Sequence, residues 1–351
     1  MLIHDQRQPS KANTMKKSLA LALSASVTAL LSVDAASAQG FEWEGEIEIA
    51  NEQVMSSDVA ANEIRDTYAV ISLGGSYTFG NGVGIFSTLT AESLTAPTAD
   101  RTFDDMGLYI EELGLSFGIG ANTTVAAGKL HPVFGSAWDD TAGFFAGIQA
   151  EDYELIEQIG VMADVEFGGA GTLSAALFFA DDTGLSRSAG FDRGRNTTAA
   201  GGAGNTGKLD NIAIQWSGQV GETSYHIAAR HLSAGIGDVD DERGVLIGAS
   251  HEFDNGLYLF GELASFQNFG GSADDATYAT LNAAYGIGNW TLSGAFTSAD
   301  LDTQGKTDTT SIAAEYEFEN GILLGGALAL RDTAGVEDRV LGVNMIIPLG
   351  G

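Results

Sequence analysis

Nine consecutive residues, Phe41-Glu42-Trp43-Glu44-Gly45-Glu46-Ile47-Glu48-Ile49, alternate apolar or small side chains with glutamates without a slip. Successive side chains of a strand point to opposite faces, so an extended segment of this kind has one greasy face and one face of four carboxylates. A soluble sheet can be built that way too. What decides between water and lipid on the greasy side is what precedes the segment and how often its pattern returns.

An export signal precedes it. From Met15 the chain reads Lys16-Lys17, an apolar run through Leu19, Leu21, Leu23, Val27, Leu30 and Leu31, and then Ala36-Ser37-Ala38 before Gln39. A positive start, a short apolar centre and an A-x-A ending are the parts of a secretory signal peptide, and the run is too short for a permanent membrane helix. Residues 1–38 are therefore set aside as an N-terminal extension and cleaved leader, with Met15 as the expected start. The mature chain, 39–351, is expected to have left the cytoplasm.

Composition narrows the class. All-β barrels of about 300 residues occur as one unit. The chain has 47 Gly, 4 Pro and no Cys, so an exported domain of this length must hold itself together without disulfides, and a closed hydrogen-bonded sheet does so. Taking the leader's four Lys/Arg and two Asp/Glu from the chain's 16 and 47 leaves 12 basic against 45 acidic residues. That sign excludes nucleic acid as a partner, because phosphate binding needs bases. No stretch after Ala38 is apolar for eighteen residues, which excludes a transmembrane helix but not a barrel, whose strands need only about 9–11 alternating residues.

The alternation returns along the chain. Ala69, Ile71, Leu73, Gly75, Tyr77 and Phe79 end at Gly80-Asn81-Gly82; Ile159 to Phe167 end at Gly168-Gly169-Ala170-Gly171; Val245 to Phe253 end at Asp254-Asn255-Gly256; Ile312 to Phe318 end at Glu319-Asn320-Gly321. Asn-Gly and Gly-rich pairs supply the positive φ of tight hairpins. The other connections are long and polar, near 51–66, 93–107, 131–154, 181–210, 232–243, 267–275, 299–309 and 331–338. Eight long and seven short connections predict sixteen strands in strict alternation, the asymmetry of an up-and-down antiparallel transmembrane barrel. Tyr77, Phe79, Phe167, Trp216, Tyr225, Phe253, Tyr258, Tyr285, Trp290, Tyr316 and Phe318 all lie near short turns, as an interfacial aromatic girdle requires.

The pattern resembles the sixteen-stranded porins of Gram-negative outer membranes, and its acidity is similar to that of the alphaproteobacterial type. A narrower likeness lies in Ile110-Glu111-Glu112-Leu113 with Gly128-Lys129-Leu130-His131-Pro132-Val133-Phe134-Gly135, which is similar to a G-K-x-x-x-P-F-G region of phosphate-selective and siderophore-associated porins. Here Val133 separates Pro from Phe. Such porins end in an aromatic residue, whereas this sequence ends Ile347-Pro348-Leu349-Gly350-Gly351, which leaves the register of the last strand open. The resemblance implies an outer-membrane channel for small hydrophilic solutes, membrane lipid and lipopolysaccharide as surroundings, a homotrimer, no cofactor and no chemical step.

A barrel of sixteen strands leaves an aqueous lumen, so its inward face determines what passes. Opposite the apolar positions lie Glu42, Glu44, Glu46, Glu48, Asp164, Glu166, Glu252, Glu262, Glu315 and Glu317, with Thr88, Gln158, Gln215, His226, Arg230, Tyr278, Thr280 and Asn282. A negative lining attracts cations within a Debye length of about 8 Å. In the porins that the chain resembles, the third long loop folds inward and narrows the pore. Here that loop, 131–154, carries Asp139, Asp140, Glu151, Asp152 and Glu154, with Phe134, Trp138, Phe144 and Phe145 to anchor it. Facing bases are expected from Lys129, Arg230, Arg101 and Arg331, giving a transverse field.

Other features are weaker. Asp238-Val239-Asp240-Asp241-Glu242 could hold a divalent cation but lacks EF-hand spacing, and Asp181-Asp182 and Asp274-Asp275 are similar. His131, His226, His231 and His251 show no zinc-ligand spacing. Segment 187–208, with Arg187, Arg193, Arg195 and Lys208, is the one basic island, read as an outer loop or an anion-capture site. The alternatives to an open cation-preferring channel are a porin selective for an anion or metal chelate, a non-transporting adhesin or anchor, and a barrel hydrolase. The last would need Ser250 near His251, which point to opposite faces.

Overall fold

The computed structural model describes residues 40–350 apart from Asn81; the expected leader lies outside the described residues. Sixteen long strands run in chain order: β1 Gly40–Ser57, β2 Arg65–Thr78, β3 Val83–Ser93, β4 Met106–Gly118, β5 Thr123–Leu130, β6 Gln158–Glu166, β7 Thr172–Ala180 and β8 Asn211–Val220. The second half comprises β9 Thr223–Leu232, β10 Glu242–Glu252, β11 Leu257–Gln267, β12 Ala276–Ile287, β13 Trp290–Leu301, β14 Gly305–Glu317, β15 Leu323–Thr333 and β16 Val336–Gly350. Each pairs antiparallel with its sequence neighbour, and β16 pairs back onto β1 from Glu44↔Gly350 to Ser57↔Asp338. The sheet is therefore a closed barrel without a free edge, which stabilises a chain that has no disulfide. Two residue pairs, Arg101–Thr102 beside β2 and Ala189–Gly190 beside β4, add short bridges at the long-loop end.

The short turns share one construction. Phe253 donates to Leu257 O (2.8 Å) and accepts from Gly256 N (2.9 Å); Phe318 does the same with Ile322 (2.8 Å) and Gly321 (2.9 Å). Gly256 and Gly321 sit at φ 83° and 80°, the left-handed region that Asn-Gly turns need. Aromatic rings meet beside these turns: Trp290 with Tyr316 at 5.0 Å, Tyr316 with Phe318 at 4.9 Å, and Phe167 with Trp216 at 5.5 Å.

Burial is inverted relative to a water-soluble sheet. Ile247 is 59 % exposed and Ile312 64 %, whereas Glu262 and Glu315 on the opposite face are each 2 % exposed. Holding an Ile or Leu in water rather than in an apolar phase costs about 1.5–3 kcal/mol each. Nineteen exposed Ile and Leu on the described strands, around one cylinder, suit a hydrocarbon surrounding rather than water. Among the described residues no helix is long and apolar enough to cross a membrane, so any crossing is made by strands.

Two expectations are corrected, and a register left open by the sequence is settled. The connections near 299–309 and 331–338 are tight: β13 and β14 are separated only by 302–304, and β15 and β16 by Ala334-Gly335, both at positive φ (53° and 87°) in a primed hairpin. Polar pairing holds these strand ends extended, with Asp300 opposite Lys306 and Lys306 bonded to Asp308 at 2.9 Å. Strict alternation of long and short connections therefore stops before the last hairpins, although the strand number stands. Tyr258 is not on the aromatic exterior, since its parity puts it on the polar side beside Ser250 and Asp140. Finally, the register of β16 is fixed along its length by β1, with Ile347 opposite Ile47.

Candidate functional site: the lumen and its third long loop

β5 ends at Leu130 and β6 begins at Gln158; the chain between them carries a single helical turn, α1 (Ala137–Asp140), and a 3-10 turn at Ala150–Tyr153. This connection is bonded to the polar face of strand after strand. Gly135 N donates to Gln215 Oε1 of β8 (2.7 Å), Ser136 N to Glu262 Oε2 of β11 (2.8 Å), and Gln149 Nε2 to Thr307 O of β14 (2.9 Å). Ala142 makes a reciprocal pair with Asn282 of β12, its N donating to Oδ1 (3.1 Å) and its O accepting from Nδ2 (2.9 Å).

Apolar contacts do the rest of the anchoring, through the four aromatics expected for it. Phe134 and Trp138 join a buried cluster with Tyr153, Phe266 and Tyr278. Phe144 and Phe145 join another with Tyr68, Val70 and Val340 on β2 and β16. Gly342 is required there, because a Cβ would lie 2.4 Å from the Phe144 ring.

Glu262 is the hub. Its Oε2 accepts from Ser136 N and lies 2.6 Å from His226 Nε2, and its Oε1 accepts from Tyr153 Oη at 2.6 Å. One buried carboxylate thus holds both legs of the third loop. Charge-assisted bonds in a water-poor setting are roughly twice as strong as neutral ones.

Residues of the loop line two cavities. One, about 660 Å³, lies toward the short turns and is lined by Ser136, Asp140, Gln215 and His226, with Gly168 and Gly221. The other, about 1090 Å³, lies toward the long loops and is lined by Glu151, Asp152 and Glu154, by Arg193 and Arg195, and by Gln304 and Thr333 across from them. Asp140 is open to solvent yet ringed by protein, and that burial is the main cause holding its carboxyl above the ordinary range. Asp139 and Glu262 add to the rise, and His226 opposes it. Asp139 is half-buried, and Asp152 accepts from Tyr278 Oη at 3.2 Å.

The four bases expected on the wall are each engaged by a carboxylate. Lys129, 1 % exposed, meets Glu157 at 2.8 Å and Asp181 at 2.9 Å. Arg230 binds Glu242 at 2.7 Å, donates to Tyr153 O, and lies over the Phe266 ring at 4.5 Å. Arg101 grips Asp66 with two bonds of 2.8 and 2.7 Å, and Arg331 reaches Glu52 at 3.5 Å. They therefore brace loops and wall. Of the acids expected on the lining, Glu44 and Glu46 are half-buried on β1, Asp164 accepts from Ser174 Oγ at 2.5 Å, Glu315 is buried on β14, and Glu262 serves the loop.

The acidic loops act as latches. Asp238 accepts from Gly202 N (3.0 Å) and Gly235 N (2.7 Å), Asp241 from Ala234 N (2.8 Å), Glu242 from Gly270 N (2.7 Å) and Asp274 from Thr303 N (2.9 Å). Among the described residues no group of three or more His, Asp or Glu is gathered for a metal ion. His251 faces outward with Thr223 Oγ1 at 2.7 Å, while Ser250 faces inward with Tyr258. The sequence pattern does not single out Glu157. A buried Lys129 demands a carboxylate, but a loop residue at φ 55° cannot be located by strand parity.

No family model and no curated protein matches the sequence. The structure does match solved ones. A multiply substituted Rhodopseudomonas blastica porin superposes with a TM-score of 0.59 at 15% identity, covering 88% of this chain and 100% of that one. A second variant of the same porin gives 0.58 at 16% identity over the same shares. A member of a set of engineered proteins of asymmetric conductivity gives 0.59 at 15%, again over 88% and 100%. The chain has the porin fold. At this identity the porin likeness speaks for architecture, and what the lumen admits must be argued from its own residues.

Proposed function

We propose that this chain is an outer-membrane channel through which small hydrophilic solutes diffuse, with a preference for cations. One observation carries it: the greasy faces of the strands point out of the closed barrel, and on the polar side a carboxylate-bearing loop lines two cavities. The loop would then be the constriction, with Asp139, Asp140, Glu151, Asp152 and Glu154 as its acidic edge. Lys129, Arg230, Arg101 and Arg331 offer little opposing field, because each already meets a carboxylate. Like charge along a narrow passage favours the opposite ion. In this reading residues 1–38 are a cleaved leader, lipid and lipopolysaccharide surround the barrel, and a homotrimer follows from the porin likeness. No chemical step is involved.

The test is the reversal potential of single channels in a planar bilayer under a tenfold KCl gradient. A potential displaced toward the K⁺ equilibrium value supports the acidic pore. Displacement toward Cl⁻ with saturable block refutes it in favour of an anion-selective porin, and a folded barrel that passes no current refutes transport.

A further inference from the structure

The fourth long connection, between Ala180 and Asn211, does not simply project from the rim. It crosses over β5 and β6 and docks on β4: Ala189 and Gly190 pair with Leu108 and Gly107, and Phe191 N donates to Met106 O at 2.9 Å. From that docked segment Arg193 reaches down. Its guanidinium lies 4.1 Å over the Tyr109 ring, its Nε donates to Ser186 O at 2.8 Å, and two further nitrogens grip Glu157, one at 2.9 Å.

Glu157 is the last residue of the third loop, and Lys129, two residues before that loop begins, holds it from the other side at 2.8 Å. Lys129 Nζ also donates to Leu185 O of the fourth connection at 3.0 Å. Both roots of the third loop are thus bonded to the fourth connection, Glu157 through Arg193 and Lys129 through Leu185 O, and Glu157 joins the two roots. That carboxylate sits at φ 55°, a backbone conformation rare for a residue other than glycine. Glu157 is aimed at two cations at once, with Asp181 completing the charge balance at 2.9 Å from Lys129. Glu92 and Glu111 are the nearby acids facing Tyr109.

We infer that the fourth connection is a charge-latched flap: docked through Arg193, it fixes the root of the third loop, and its release changes the passage through the lumen. The inference rests on the channel reading. It assigns the basic island a task inside the protein, with Arg193 as a positioning residue acting through Glu157. An outer loop that holds the constriction couples events at the long-loop face to conductance, a two-state element that both sites bias.

The experiment uses the full mature protein, Arg193→Ala, and a reversible staple, Leu108→Cys with Ala189→Cys. These two are direct antiparallel partners at a spacing a disulfide bridges, in a chain with no other cysteine. Trypsin cleavage at Arg187 and Arg195 reads flap release, and single-channel recording reads its consequence. Arg193→Ala is expected to be cut at least tenfold faster and to step between two current levels. The oxidised staple in the Arg193→Ala background is expected to restore one level, and dithiothreitol to abolish it again. Faster cleavage with unchanged current overturns the coupling while leaving the channel reading intact. Unchanged cleavage overturns the latch. A folded wild type without current overturns both readings.

Discussion

Replacing Glu262 by Ala removes the acceptor that holds both legs of the third loop. Ser136 N, Tyr153 Oη and His226 Nε2 lose partners at 2.8, 2.6 and 2.6 Å. Each buried polar group left unsatisfied costs about 1–3 kcal/mol. Water from the adjacent cavity refills part of the space at small entropic cost, so the net loss of loop docking is expected at about 2–4 kcal/mol. At about 1.4 kcal/mol per factor of ten, the undocked population rises roughly 30- to 1,000-fold. The barrel's ladder is untouched, so the heat-modifiable band on a gel should persist while single-channel current becomes noisy, with excursions above the wild-type level. Glu262→Gln is the control. Its carbonyl oxygen can keep Ser136 and His226, its amide can donate to the Tyr153 hydroxyl, and near-wild-type traces are expected. Quiet wild-type current from a folded Glu262→Ala barrel would refute the assignment of Glu262 as the clamp.

Further outcomes follow from the same geometry. Asp140 keeps its proton to a higher pH than an ordinary carboxylate, so its negative charge is absent in acid and appears as pH rises past that range. Cation selectivity, read from reversal potentials between pH 4 and 8, should therefore rise with pH, and Asp140→Asn should flatten the rise. Gly342→Ala puts a Cβ at 2.4 Å from the Phe144 ring; overpacking of this kind costs about 1–3 kcal/mol and should increase current noise without unfolding the barrel. Ile312→Arg places a charge on the outward face, at a cost of about 2–4 kcal/mol near the bilayer midplane, and should lower the urea midpoint of the refolded protein in lipid.

Much of the barrel is legible because strand parity is a strict code. Ile247 and Glu262 fall on opposite faces in the structure as their alternation requires, and Asn255-Gly256 forms the hairpin its φ demands. The last two long connections are not legible as tight turns, because Thr, Asp and Lys near 306–310 are polar without being loop-forming. The backbone ladder with the neighbouring strand and a Lys306–Asp308 pair along the same strand keep them extended, and no periodicity distinguishes that from a loop. The acids and aromatics of 131–154 were recognisable as a group, since a long loop carrying Phe134, Trp138, Phe144 and Phe145 must bury them. Their partners were not, because Glu262, Asn282 and Gln215 differ from other lining residues only in what the loop brings to them. The partners of the bases are hidden for a related reason: parity shows that Lys129 and Arg230 face inward, but not that Glu157 and Glu242 pair with them.

The central claim is that hydrocarbon covers the outward rows and water fills the polar side. A pair of single-cysteine variants in liposomes tests it directly, Ile312→Cys on the outward row and the half-buried Thr88→Cys on the polar one. A hydrophilic thiol reagent should modify position 88 rapidly and leave 312 unreacted, while a bimane fluorophore attached at 312 should be quenched by brominated lipid. Reaction at 312 with no lipid quenching, or a processed chain recovered as a monomer without detergent, would contradict the account.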